Sequence, residues 1–249
     1  VGQTYTITIN LMLRPGLVAG DTLRNVAVIR GDQPLDGCNT TLSPDRFECS
    51  DDTVVTPLSV PALSTRKLVQ AKVPHTEAGI PNVISTANNF DCSTAADADG
   101  FYRSPCVPVT LPGDDEIWRF AVTNSGTLPI DTVVAMDQLP TPGDTGLIVT
   151  TPRGSAWPTE FVGDVRLVPS PGTPAGASMS TWYSTRSAPC ATALNPLGTQ
   201  CVPGAWIPLT PAVDPKTVKS LMFVVTFPPN ELFQPGDNVT IEFTTRTTP

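Results

Sequence analysis

The 249-residue chain carries 28 prolines and 18 glycines but only 15% charged and 6% aromatic residues, a composition that favours turns and excludes a protein built on long helices. Fifteen basic against 23 acidic residues leave a net charge of −8, which repels phosphate backbones and anionic lipid and excludes nucleic-acid binding through a basic patch. No stretch approaches the roughly 18 apolar residues of a spanning helix, so no membrane insertion is expected in this segment.

Alternation of apolar and polar residues predicts half-buried strands, in chain order, at 3–13 (QTYTITINLML), 22–30, 117–124 (IWRFAVTN), 131–137 (DTVVAMD), 218–227 and 238–246. Shorter strands are expected at 53–60, 64–73, 146–151, 161–168, 179–184 and 205–209. The best helical prospect is a single turn at 92–99 (CSTAADAD). The segment TNSGTLP joins two of the long strands, and Asn124 and Gly126 are expected to take the positive φ of a tight hairpin. Strands at this spacing, with Pro/Gly connections, predict an all-β fold of Ig-like antiparallel sandwiches.

The six cysteines form three neighbouring couples, Cys38 with Cys49, Cys92 with Cys106, and Cys190 with Cys201, each bracketing a loop-like segment. The local pairing fits best among the alternatives, and each bridge closes a short loop worth roughly 3 kcal/mol. An oxidising, extracytoplasmic setting follows.

The opening VGQTYTITINLMLRPGLVAGDTLRN resembles the closing PGDNVTIEFTTRTTP, with Gly2 on Gly236. Residues 1–62 therefore look like the C-terminal part of a preceding sandwich module. Residues 63–249 look like a second, larger module that lacks its last strand, within a chain that is a piece of something longer. Strands from a neighbouring module or another copy of the chain would complete such halves.

The run WRFAVTNSGTLPIDTVVAMDQLP (118–140), with AGDTLRNVAVI (19–29), resembles the conserved-repeat modules of bacterial surface proteins, catalogued as domain of unknown function 11. Their pattern is strand, T-N-x-G, strand, D-x-L-P. The flanking SPCVPVTLPGDDEIWRF and PTPGDTG are similar to actinobacterial, secreted members. The resemblance implies an extracellular stalk, adhesin or fibre rather than an enzyme. It also implies a site, because some such modules join a first-strand lysine to a last-strand asparagine beside a buried acid. Lys67, Asn25 and Asp137 take those places here, although Asn25 falls in the preceding half-module. The plainer expectation makes Lys67 a solvated strand lysine and Asp137 a strand-end acid bonded to turn amides before Leu139 and Pro140.

Other chemistry is thinner. Asp97 and Asp99 in DADG begin a calcium loop but lack the downstream glutamate of an EF-hand, so the expectation is no cofactor, with calcium at this loop as the exception. Gly113–Glu116 (GDDE) reads as a solvated turn. The one histidine, His75, has no GxSxG nucleophile to serve, and a secreted hydrolase is the least favoured reading. Trp157, Trp182 and Tyr183 are the residues to form a platform for host or surface glycans, whereas Trp118 falls in an alternating strand and is assigned to the core. Asn39 and Asn238 stand in glycosylation sequons.

Overall fold

The computed structural model describes residues 6–10, 16–18, 20–35, 37, 38, 40–56, 58–74, 79, 81–148, 150–192 and 201–248. Its strands are β1 (Leu23–Arg30), β2 (Thr41–Leu42), β3 (Glu48–Val55), β4 (Leu63–Ala71), β5 (Val83–Ser85), β6 (Cys106–Pro108) and β7 (Asp115–Asn124). They continue with β8 (Thr132–Gln138), β9 (Thr159–Val168), β10 (Ser178–Ser184), β11 (Ile207–Pro208), β12 (Ser220–Thr226) and β13 (Asn238–Thr247). The only helical element among the described residues is a 3-10 turn at Pro215–Thr217.

Two four-stranded antiparallel sheets, ordered β4-β7-β13-β9 and β11-β10-β12-β8, face each other as a sandwich. Alternation dictates the packing. Phe120 and Val122 of β7 and Val239, Ile241 and Phe243 of β13 point inward from one sheet, and meet Val133 and Ala135 of β8 and Leu221, Phe223 and Val225 of β12 from the other. The rings of Phe120, Phe223 and Phe243 form a triangle with centroids 5.7 to 6.3 Å apart, bridging the sheets at mid-height. Each such buried ring contributes roughly 1.5–3 kcal/mol.

The hairpin that joins β7 to β8 departs from expectation. Neither Asn124 nor Gly126 adopts a positive φ. Asn124 is fully buried and holds the turn through its side chain, with Nδ2 donating to the carbonyls of Leu128 and Phe233, both at 2.8 Å, and Oδ1 accepting from the Gly126 amide at 3.0 Å. Gly126 is needed for close approach: a Cβ there would collide with the backbone of Val60, Pro61 and Ala62. That segment runs along the turn, exchanging bonds between Val60 and Thr127 and accepting at the Ala62 carbonyl from Ser125 and Gly126. The T-N-x-G signature is thus a clamp for an incoming chain.

β1, β3 and β2 form a separate sheet in which β1 pairs with β3 from Leu23↔Val55 to Arg30↔Glu48. Val26, Val28, Ile29, Val54 and Val55 of this sheet remain more than half exposed. Residues 6–10 carry no strand despite their alternation, and Ile7 and Ile9 face solvent, because no sheet accepts their apolar face; the rest of the expected strand at 3–13 lies outside the described residues. The expected strand at 146–151 is reduced to one bridge between Thr145 and Pro152, and 92–99 is a series of bends rather than a helical turn.

All three disulfides form in the local pairing, Cys38–Cys49, Cys92–Cys106 and Cys190–Cys201, with Cα separations of 5.5 to 5.8 Å. Three bridges in one chain fit an oxidising, extracellular environment. No helix among the described residues is long and apolar enough to cross a membrane.

Candidate functional site

β4 and β8 are the edge strands on one flank of the sandwich, and the gap between them is spanned by an ion pair. Lys67 lies opposite Phe120 in the β4–β7 ladder and so shares the inward face of Trp118 and Phe120. Asp137 lies opposite the buried Leu221 and is itself inward. The Lys67 ammonium donates to both carboxylate oxygens, at 2.7 and 2.8 Å, and sits 4.4 Å from the centre of the Trp118 ring. The Asp137 side chain is 8% exposed and that of Lys67 31%.

This corrects the plainer expectation for both residues. Lys67 is not a freely solvated strand lysine, and among the described residues the Asp137 carboxylate bonds Lys67 and no turn amide. The acid that does so is Asp144, which accepts from the Thr141 amide at 3.2 Å and from Arg153 at 2.9 Å. Lys67 and Asp137 are brought together, whereas Asn25 stands on β1 opposite Thr53, exposed and in the separate sheet.

The backbone of this flank is open. Leu139 donates to the Lys219 carbonyl and Phe227 to that of Asp131, so by alternation the odd-numbered residues of β8 bond β12 while Thr132, Val134, Met136 and Gln138 turn their amides and carbonyls outward. The Gln138 carbonyl is taken by Arg153. On β4, Ser125 donates to Ala62, which leaves Leu63, Thr65, Lys67 and Val69 facing outward; Val69 is satisfied by Tyr102, with both bonds at 2.8 Å. What remains is a seam of outward backbone groups beside a half-sheltered lysine and acid.

The acidic loop that suggested calcium serves a different partner. Asp97 Oδ1 accepts the amides of Asp99 and Phe101, at 3.0 and 2.8 Å, and shapes the loop. The other oxygens turn to Arg119 on the outer face of β7, at 2.8 Å from Asp99 and 3.4 Å from Asp97. The same guanidinium lies 3.7 Å over the Phe101 ring and bonds Glu242 of β13, whose second oxygen takes Arg166 of β9 at 2.5 Å. This ladder ties the loop closed by Cys92–Cys106 to three strands. Among the described residues no group of three acidic, histidine or cysteine side chains is placed to hold a metal ion.

Removing the shared carboxylate by Glu242→Ala is expected to cost about 2–3 kcal/mol, because Glu242 is almost fully buried while Arg166 can relax into water. Asp99→Ala, on the exposed rim of the same ladder, is expected to cost less than about 1 kcal/mol. Urea denaturation of the two variants measures the difference.

The three residues assigned to an aromatic platform are not gathered. Tyr183 packs against the core, and Trp182, its neighbour in β10, turns to the opposite face and lies across from Pro208 of β11. Trp157 is 59% exposed and stands between two clefts at the end of the sandwich where β7 begins. One of these, about 430 Å³, is lined by Trp118 and Trp157 together with Glu116, Thr110 and Thr159. Trp118 is therefore partly a cleft residue, its Nε1 donating to Thr245 at 2.9 Å. Burial pushes the Glu116 carboxyl upward, against a hydrogen bond from Thr110 at 2.8 Å and the charge of Lys67. Sequence reasoning passed over Glu116 as part of a solvated turn, although its register with Trp118 and Phe120 marks it as inward.

Its neighbours in that turn do face outward. Asp114 accepts from the Leu111 amide, and Asp115 pairs with Arg246 at 2.7 Å and Lys72 at 3.4 Å. The Asn238 amide is engaged by Ser170 and Pro171. Asn39 and His75 lie outside the described residues. Comparison with protein families, curated proteins and solved structures finds no match to this chain.

Proposed function

We propose that the chain is a non-enzymatic structural segment of an extracellular surface or fibre-forming protein, and that it works by assembly through β-strand addition. The observation that carries this reading is the open seam, where β4 and β8 present backbone groups that no strand among the described residues pairs, on either side of the Lys67–Asp137 pair. A free edge is a template for another strand, and added main-chain bonds supply affinity. The exposed apolar residues of the β1–β3–β2 sheet support the same reading, since neither of its faces is covered by the sandwich. So do the three disulfides, which suit a chain that must persist outside the cell. The partner is a neighbouring module or another copy of the chain. An incoming strand that carried an asparagine to Lys67 would add the amide bond implied by the resemblance to surface-protein repeats, with release of ammonia.

Val134 tests the seam, because its amide points outward and takes no part in the β12 ladder. Val134→Pro removes the donor and Val134→Lys places a charge on the edge. Both are expected to lower self-association at least about tenfold while leaving the far-ultraviolet circular dichroism unchanged. Association that survives both substitutions contradicts assembly through β8.

A further inference from the structure

We propose that the cleft between Trp118 and Trp157 is a binding site for a sugar ring. The site differs from the platform expected on the sequence and uses neither Trp182 nor Tyr183.

Three features of the cleft point to this ligand. Trp157 lines the cleft with its side chain more than half exposed, and Trp118, whose ring carries the Lys67 ammonium at 4.4 Å, lines it as well. Thr159 is on the same face of β9 as the core residue Phe161, so its side chain enters the space between the sheets where the cleft opens. It is 4% exposed, and its hydroxyl has no hydrogen-bond partner. A buried, unpaired hydroxyl costs free energy that a bound ligand recovers. Glu116 supplies the third group: one of its carboxyl oxygens accepts from Thr110, and the carboxyl faces the same space.

These requirements select among ligand classes. A wholly apolar ligand fills the space beside the indoles but leaves the Thr159 hydroxyl unpaired and offers nothing to the second Glu116 oxygen. A simple cation pairs with Glu116 and leaves the indole face and apolar wall unused. A pyranose has an apolar face of C–H groups to lay on an indole and an edge of hydroxyls that both donate and accept. About 430 Å³ lies within the range of small-molecule sites and accommodates such a ring.

The test is binding of methyl glycosides of glucose, galactose, mannose and N-acetylglucosamine to the full unreduced chain, followed by saturation-transfer NMR and titration of tryptophan fluorescence. At least one glycoside is expected to bind. Trp157→Ala is expected to abolish binding. Thr159→Val, which keeps the shape and removes the unpaired hydroxyl, is expected to weaken it about tenfold without lowering the melting temperature. Trp182→Ala serves as the control and is expected to bind as the parent does. The proposal is overturned if no glycoside binds at concentrations up to its solubility, if Trp157→Ala or Thr159→Val binds as tightly as the parent, or if indole competes where every sugar fails.

Discussion

Asn124→Ala is expected to lower the stability of the sandwich by about 2–3 kcal/mol, because it removes three hydrogen bonds made by one fully buried side chain. The Leu128 carbonyl loses its donor, the Phe233 carbonyl keeps only the Ile130 amide, and the Gly126 amide keeps only the Ala62 carbonyl. Asp at this position restores the acceptor but not the two donors, so Asn124→Asp is expected to recover only a small part of the loss. Gly126→Ala reaches a similar outcome by another route: its methyl displaces the 60–62 segment from the turn. Urea denaturation of the three variants, read by tryptophan fluorescence, checks the order. A loss below about 1 kcal/mol for Asn124→Ala contradicts the clamp.

Phe243→Ala is expected to cost about 3–5 kcal/mol, the range for deleting a buried aromatic ring from a packed core. Phe243 is fully buried in the middle of β13, within 6.3 Å of Phe120 and 5.7 Å of Phe223, so the surrounding strands hold the cavity open rather than collapsing into it. Phe90, half exposed in the loop before Cys92, is the contrasting case, and Phe90→Ala is expected to change stability by less than about 0.5 kcal/mol. Thermal or chemical denaturation measures both.

Strands β7, β8, β12 and β13 were legible because each carries most of its large apolar residues on one face, so alternation encodes both the element and its orientation, even in β13, whose polar face is buried too. The three disulfides were legible because each couple is close in sequence and brackets a turn-rich segment. Where alternation has no partner it misleads: residues 6–10 alternate as well as β13 does, yet Ile7 and Ile9 stay in water. The reason for T-N-x-G was hidden as well. The residues suggested a turn of unusual φ, whereas the requirement arises from the backbone of residues 60–62, far earlier in the chain, that presses on Gly126.

The site was legible only in part. The resemblance to surface-protein repeats placed Lys67 and Asp137 in one candidate site with Asn25, but the ion pair itself depends on the register of β4 and β8, which the favoured expectation of two separate residues did not contain. Arg119 as the partner of Asp97 and Asp99 depends on how the disulfide loop folds over β7, which local spacing does not encode. The cleft depends on the end of the sandwich where β7 begins and β13 ends, and Glu116 joins it only because its register with Trp118 carries inward past a turn of three acids.

Sedimentation velocity of the unreduced chain over a wide range of concentration, with native mass spectrometry of the same samples, tests the open seam most directly. Strand addition predicts concentration-dependent oligomers or fibres that Val134→Pro disperses. A chain that remains strictly monomeric at every concentration up to its solubility limit contradicts self-assembly.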